Sequence, residues 1–272
     1  DRFQSFDRGD NWKIISPDLT TNDKKLRNTS NGGGLTNSNT GGENHFTIIT
    51  ISDTPIDTTL IWVGTDDGNV QLTRNNGDSW ENVKNNIDGV PEKIWVSRVE
   101  ASKHSKGRAY VSFDNHRFDD NKPYVFITED YGKTWSNISS NLPQDYSVYV
   151  IKEDYVDENL LFVGTEKSVY FSNDRGTTWE KLGSNLPTVA IHDLVIHPRD
   201  GDLVAGTHGR SIWILDDISP LRFLNEKEDN LLPTRISTKW VKINTGRKQP
   251  FFEFRGENLS LIHISEPTRL DD

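Results

Sequence analysis

The chain has 272 residues, a formal net charge of −10 and neither cysteine nor methionine. An acidic chain is a poor binder of nucleic acid, because binding to phosphates requires a basic surface. Without cysteine there are no disulfides, thiolate zinc sites or cysteine nucleophiles. No apolar run approaches the length of a membrane span, so we expect neither a nucleic-acid partner nor a membrane-crossing segment.

The first element in chain order is an eight-residue turn motif, and three further copies of it follow. Each copy has Ser or Thr at position one, Asp or Asn at position three, Gly at position five and Trp at position eight. Four copies of one pattern predict a repeat architecture. The motif residues are Ser5, Asp7, Gly9 and Trp12, then Thr73, Asn75, Gly77 and Trp80, then Thr128, Asp130, Gly132 and Trp135, and finally Ser172, Asp174, Gly176 and Trp179.

A structural role accounts for every position of this motif. The Asp or Asn is suited to accept hydrogen bonds from backbone N–H groups just ahead of it, and the Ser or Thr offers a second local hydrogen bond. The Gly supplies a positive φ angle, and the Trp opens the next strand with a large apolar surface. Strand-like runs flank each copy, so the motif is predicted to be a structural hairpin turn and not a catalytic element.

Strand-like segments recur in a fixed order around the motifs. The interval from Trp135 to Trp179 matches the roughly 40–45 residues of a four-stranded propeller blade. The predicted fold is therefore all-β: part of a β-propeller of four-stranded antiparallel blades, with about three complete blades and two partial ones. The inner strands are predicted at Phe46–Ile51, Trp95–Ala101, Val148–Glu153 and Ile191–His197, and the strands that follow them at Leu60–Thr65, Ala109–Phe113, Leu160–Thr165 and Leu203–Thr207.

Residues 1–219 are assigned to this incomplete propeller. Residues 220–258 are expected to be a linker and the truncated start of a following module. Residues 259–272 resemble a translated sequencing adapter and are expected to be non-native. Thr20–Asn44, rich in Asn and Gly, is predicted to be a long surface loop, and Asp114–Lys122 a polar insertion. Because ring closure removes exposed strand edges, we expect the remaining blades of a parent chain to complete the propeller.

The four motifs resemble the Asp-box, or BNR, repeats of sialidases, sortilin-type receptors and xyloglucanase-type glycoside hydrolases. Ile61–Thr73, Trp95–Ser102 and His192–Asp200, with Gly206–Arg210, resemble more closely a family of large bacterial proteins described as sortilin-N-terminal-like or BNR-repeat glycosyl hydrolases. Members of that family are typically exported, so the resemblance implies an extracytoplasmic propeller. It leaves open whether the protein is an enzyme, because function depends on sites and not on the fold.

Propeller ligands usually bind at the mouth of the central channel, which the inner strands and the loops beside them build. Histidines in this region lie in different repeats and lack the short spacing of metal ligands, so we expect no metal site and no cofactor. Six residues are predicted to contact a ligand there: Arg98, His116, Arg117, His192, His208 and Arg210.

Two functions remain open. The first is a binding or scaffold module that engages a carbohydrate polymer or a protein. The second is part of a glycoside hydrolase, which needs two carboxyl groups roughly 5–10 Å apart; the candidates are Glu100, Asp114 and Asp66. Glu100 and Asp114 facing one groove would favour the enzyme, whereas scattered, unpaired charges would favour the binding module. We expect the binding module, because the sequence contains no catalytic signature.

Overall fold

The computed structural model describes residues 2–23, 46–183 and 185–224. Strands in these ranges form five antiparallel sheets, and each sheet is built from consecutive segments of the chain. Three of the sheets have four strands, one has three and one has two. The all-β propeller fold predicted from the sequence is confirmed, with three complete blades between two partial ones.

The strands are numbered in chain order and grouped by sheet. The N-terminal hairpin consists of β1 (Phe3–Gln4) and β2 (Lys13–Ile14). Blade one consists of β3 (Ile48–Thr54), β4 (Asp57–Thr65), β5 (Val70–Thr73) and β6 (Glu81–Asn82). Blade two consists of β7 (Trp95–Ala101), β8 (Ala109–Asn115), β9 (Asp120–Thr128) and β10 (Ser136–Asn137). Blade three consists of β11 (Val148–Glu153), β12 (Leu161–Thr165), β13 (Val169–Ser172) and β14 (Glu180–Lys181). Blade four consists of β15 (Ile191–Ile196), β16 (Leu203–Thr207) and β17 (Ile212–Leu215).

Helical structure in the described ranges is limited to single turns. Two 3₁₀ turns lie at Lys84–Asn86 and His116–Phe118, and the short helix α1 covers Ser219–Arg222. The second 3₁₀ turn joins β8 to β9, so the predicted polar insertion Asp114–Lys122 forms the tip of a continuous hairpin. Within the described ranges, no helix has the length and apolar character that a membrane crossing requires.

The blades pack through the strands nearest the centre. The first strand of each blade contacts the first strand of the next, from β3 through β7 and β11 to β15. Apolar clusters fill the spaces between neighbouring blades, with Trp62 and Phe113 between blades one and two and Phe162 between blades three and four. These side chains are fully buried, and each is worth about 1.5–3 kcal/mol relative to an exposed position.

The four turn motifs share one hydrogen-bond pattern. In the fourth copy, the Ser172 hydroxyl donates to Asp174 at 2.7 Å and accepts the Gly176 N–H at 2.8 Å. The Asp174 carboxylate also accepts the Thr178 N–H at 2.8 Å. The equivalent bonds recur in the other three copies. The residue before each Gly also has a positive φ, which the sequence motif does not reveal: these residues are Arg8, Asn76, Tyr131 and Arg175.

The second, third and fourth motifs also contact the preceding sheet, at Ile15, Val83 and Ile138. A Cβ on Gly176 would approach Ile138 of the preceding blade to 2.8 Å, and one on Gly132 would approach Val83 to 2.9 Å. The Trp179 indole N–H donates to the Ile138 carbonyl at 2.6 Å. The motif Gly therefore serves the close approach of neighbouring blades as well as the turn.

The two outer flanks of the structure expose apolar surface. In blade one the third strand β5 is buried along its length, whereas every residue of β17 in blade four is exposed. Ile212 is 69% and Ile214 60% exposed, and on the other flank Trp12 of the N-terminal hairpin is 63% exposed. Coverage of these flanks by further blades of a parent chain stays a prediction.

The segment after blade four packs back onto the propeller. Arg222 of α1 binds the buried Asp154 through two hydrogen bonds of 2.8 and 2.9 Å, and Ile218 is fully buried. Residues 220–224 of the expected linker therefore contact the propeller. The rest of the expected linker, the adapter-like tail and most of the predicted loop Thr20–Asn44 lie outside the described residues.

Candidate functional site

The two ends of the blades carry different strand connections. At one end the second strand of each blade ends beside the start of the first strand, as the register pairs Trp95 with Asp114, Val148 with Thr165, and Ile191 with Thr207. We call this end the turn face. The opposite end, which we call the box face, carries the four turn motifs and the connections between first and second strands.

The catalytic candidates Glu100 and Asp114 lie toward opposite ends of the β7–β8 hairpin. Glu100 is paired in register with Tyr110, four residues before Asp114 on β8. At a strand rise of about 3.3 Å per residue, the two positions are roughly 13 Å apart along the strand. This exceeds the roughly 5–10 Å that separates the carboxyl groups of glycosidases, so the two residues are not brought together as a catalytic pair.

Protein groups already occupy the carboxylates of Glu100 and Asp66. Glu100 is 2% exposed and binds the ammonium groups of Lys103 and Lys152 at 2.6 and 2.7 Å. Asp66 is also buried and accepts the backbone N–H groups of residues 46 and 47, each at 2.8 Å. These contacts give both residues structural roles in blades one to three.

A row of aromatic and imidazole rings crosses the turn face from blade two to blade four. The His116 ring meets the Tyr149 ring edge-to-face, with centroids 6.3 Å apart. Tyr149 stacks on His192 at 4.6 Å with 9° between the planes, and His192 is 5.2 Å from His208. We call these four residues the ring row. It brings together three of the six predicted binding residues and adds Tyr149, which the sequence analysis missed.

Strand bulges place the two central rings. The register shifts between Val148 and Val150 in blade three and between Ile191 and Asp193 in blade four, so Tyr149 and His192 are the extra residues of equivalent bulges. A bulge turns its extra residue away from the ladder and re-aims its side chain. Because neither bulge has a sequence signature, Tyr149 could not be singled out from the chain alone.

The three arginines predicted to bind ligand have different surroundings. Arg98 forms a 2.6 Å ion pair with Asp193, which links blades two and four. The Arg117 guanidinium lies over the Trp95 ring, 3.7 Å from its centroid, beside one end of the ring row. Arg210 shares the exposed β16–β17 turn with His208 at the other end.

Burial and neighbouring charges shift two pKa values in the ring row. Burial raises the pKa of Tyr149 to about 12, and the nearby carboxylates of Asp114 and Glu166 add to that shift. Burial also lowers the pKa of His192; His208 lowers it further, and Asp114 opposes the shift. At neutral pH the phenol therefore keeps its proton and the His192 ring is uncharged.

The polar atoms of the ring row are mostly unused. Asp114 binds the His116 ring at 2.5 Å. Among the described residues, however, no hydrogen-bond partner exists for the Tyr149 hydroxyl or for the ring nitrogens of His192 and His208. Exposed groups that can donate and accept hydrogen bonds, held in a fixed arrangement, are suited to a polar ligand.

Metal binding receives no support from the part of the chain that the structure covers. There, no three His, Asp or Glu side chains are arranged so that they could hold a metal ion. The ring row contacts are ring to ring, and one imidazole is already engaged by Asp114.

Comparisons with known proteins relate the chain to β-propellers. Residues 123–257 match the family model Sortilin-Vps10, described as sortilin, neurotensin receptor 3. An ancestral GH74 enzyme is 18% identical with a TM-score of 0.53; the match covers 75% of this chain and 24% of that one. No curated protein gives a significant match.

Two further solved structures are less similar. A GH74 xyloglucanase from Xanthomonas campestris is 20% identical with a TM-score of 0.47, covering 60% of this chain and 26% of that one. YCF48 bound to D1 peptide is 21% identical with a TM-score of 0.47, covering 62% and 51%. The chain thus spans about a quarter of the length of the GH74 enzymes. The family match over residues 123–257, together with the shared fold, supports a β-propeller of the sortilin and BNR-repeat type.

Proposed function

We propose that the ring row is the ligand-binding surface of an extracytoplasmic propeller and that its ligand is a carbohydrate polymer. The observation that carries the proposal is the convergence of unused polar groups from Tyr149, His192 and His208 on one face of two blades. Elsewhere in the described chain, buried charges such as Glu100 and Asp154 are satisfied by the protein itself. An exposed group of ordered but unpaired polar side chains is typical of a binding site.

The chemistry of the row favours a sugar over a peptide. Because Tyr149 and His192 stack face to face, each covers one face of the other, and no described residue takes up the Tyr149 hydroxyl or the His192 ring nitrogens. Asp114 and Glu166 add acceptors nearby. Sugar hydroxyls both donate and accept hydrogen bonds and can satisfy both kinds of group. A peptide that binds by strand addition uses a free sheet edge for its backbone, and the ring row offers side chains and turns instead.

The positions of the candidate carboxylates agree better with ligand binding than with hydrolysis. Glu100 lies roughly 13 Å from Asp114 along the strand direction, by the rise per residue, and is neutralised by two lysines. Asp114 already binds the His116 ring. The relation to GH74 enzymes supports the propeller fold, and the relation to sortilin-type domains supports an extracytoplasmic location.

The test is retention of the protein on immobilised polysaccharides. We expect the 272-residue chain to bind at least one polysaccharide of a plant and bacterial panel, and Tyr149→Ala to abolish that binding. Tyr155→Ala is the matched control, because Tyr155 is a 43% exposed tyrosine on the box face. Unchanged binding by folded Tyr149→Ala, or binding of proteins but no polysaccharide, would refute the proposal.

A further inference from the structure

We infer that the ligand of the ring row carries carboxylate groups, so that its substrate class is an acidic, uronate-containing polysaccharide. The inference rests on the proposed function and deepens it. It is carried by two arginines, one at each end of the row, whose charges the described part of the protein leaves unpaired.

Arg117 and Arg210 differ from most other arginines in the structure. Ion pairs with carboxylates hold the majority of the described arginines: Arg74, Arg98, Arg108, Arg175, Arg199 and Arg222. In contrast, Arg117 contacts the Trp95 ring, and Arg210 is exposed in its turn; within the described ranges neither has a carboxylate partner. Arg8 on the box face also has no ion pair among the described residues, so the lack of a partner is not sufficient by itself. The position of Arg117 and Arg210 beside the two ends of the ring row, in a chain with 41 Asp and Glu against 31 Lys and Arg, is what points to an external anion.

The stack against Trp95 holds the Arg117 guanidinium in place. The guanidinium carbon of Arg117 lies 3.7 Å from the centroid of the Trp95 ring, a distance typical of a cation–π contact. A guanidinium held by its face keeps its N–H edge available, and that edge is the part that binds a carboxylate through two parallel hydrogen bonds. The contact therefore reduces the freedom that Arg117 would lose on binding.

Between the arginines the row offers more donors. The pKa of Tyr149 lies far above neutrality, raised first by burial, so its hydroxyl remains a donor. The imidazoles of His192 and His208 each present a ring N–H in one tautomer or the other. Donors of this kind favour oxygen-rich, negatively charged ligands.

Asp114 and Glu166 limit where the ligand can carry its charge. Both carboxylates lie close enough to Tyr149 to influence its pKa, and they would repel a carboxylate placed at the middle of the row. The fit therefore requires hydroxyl groups at the middle and carboxylates toward Arg117 and Arg210. A uronate polymer, with hydroxyls on every sugar and spaced carboxylates, meets both conditions, whereas a run of Asp or Glu in a peptide does not.

The test compares two forms of one polymer. Polygalacturonate and its methyl-esterified form share a backbone and differ in charge, so their affinities isolate the carboxylate. We expect the esterified form to bind at least tenfold more weakly, and binding of polygalacturonate to weaken as salt rises. Arg117→Gln and Arg210→Gln should each weaken binding of polygalacturonate several-fold, and Arg8→Gln should not. Arg8 is the matched control because it is exposed and lies in a motif on the box face.

The outcomes separate the inference from the proposed function. Equal affinity for both forms, with loss of binding in Tyr149→Ala but not in the arginine variants, would overturn the acidic class and leave carbohydrate binding standing. Tighter binding of polyglutamate than of polygalacturonate would overturn both. Circular dichroism and melting temperature of each variant establish that the substitutions leave the fold intact.

Discussion

Tyr149 and His192 form a parallel stack, 4.6 Å between ring centroids, that joins the inner strands of blades three and four. Both residues are the extra residues of equivalent strand bulges. The stack holds the two rings side by side on the turn face. Neither the Tyr149 hydroxyl nor a ring nitrogen of His192 has a hydrogen-bond partner among the described residues. Pre-ordered side chains of this kind lose little entropy when a ligand binds.

The protonation of His192 is the first prediction. We expect its pKa to lie below the usual 6.5, because burial and His208 both disfavour the charged ring. His208→Ala should raise this pKa, while Asp114→Asn should lower it, since the Asp114 charge favours protonation. A pH titration of the imidazole resonances by NMR measures all three values. A His192 pKa at or above 6.5 in the unmodified chain would contradict the local arrangement.

The turn motifs should contribute measurably to stability. Asp174→Ala removes the acceptor for Ser172 and for Thr178 and is expected to lower the free energy of unfolding by about 1–2 kcal/mol, as loss of a helix cap does. Asp78→Ala is the control, because the side chain of Asp78 is exposed and has no hydrogen bond in the described structure. Chemical denaturation measures the free energy of unfolding of both variants. Equal values for Asp174→Ala and Asp78→Ala would contradict a structural role for the motif.

Acid should weaken the motifs. Hydrogen bonds from Asn11, first from its backbone N–H, lower the pKa of Asp7 to about 2, and the Thr134 N–H lowers that of Asp130. A carboxyl group whose folded pKa is depressed stabilises the protein above its unfolded pKa of about 3.9, and this contribution is lost as pH falls toward the folded value. We therefore expect the melting temperature to fall between about pH 4 and pH 2, and to fall less in Asp130→Asn. A flat profile over this range would contradict the account.

The contact between neighbouring blades can be separated from the turn itself. Gly176→Ala adds a methyl group within 2.8 Å of Ile138 at a φ of +85°, whereas Gly89→Ala meets a similar φ of +77° with no atom within 4 Å. The first variant should lose about 1–3 kcal/mol more than the second, since crowding adds to backbone strain. Thermal unfolding measures both. Similar losses of stability in the two variants would mean that the neighbouring blades can move apart at this contact without an energetic penalty.

Local patterns made the fold predictable. The inner strands Trp95–Ala101 and Val148–Glu153 coincide with the predicted ranges, because alternation and the repeated motif depend on neighbouring residues. Relationships between distant residues were not predictable. The partners of Glu100 include Lys152 of the next blade, and the pairing of Tyr149 with His192 depends on two bulges that change the register by one residue.

The candidate site was therefore only partly predictable. His116, His192 and His208 were selected individually, from the polar insertion, an inner strand and a turn after the second strand, and the structure shows that they lie in one row. Arg98 was selected as a residue of an inner strand, but its guanidinium forms an ion pair with Asp193. Trp95 illustrates a different difficulty, because its role in holding Arg117 depends on the tip of the neighbouring hairpin.

The most direct test of the central claim follows the histidine ring resonances by NMR during a titration with polygalacturonate. We expect the signals of His116, His192 and His208 to shift in parallel, while those of His104 and His197 on the box face stay fixed. Shifts confined to His104 or His197, or a bound polymer that leaves the ring row signals unchanged, would contradict the account.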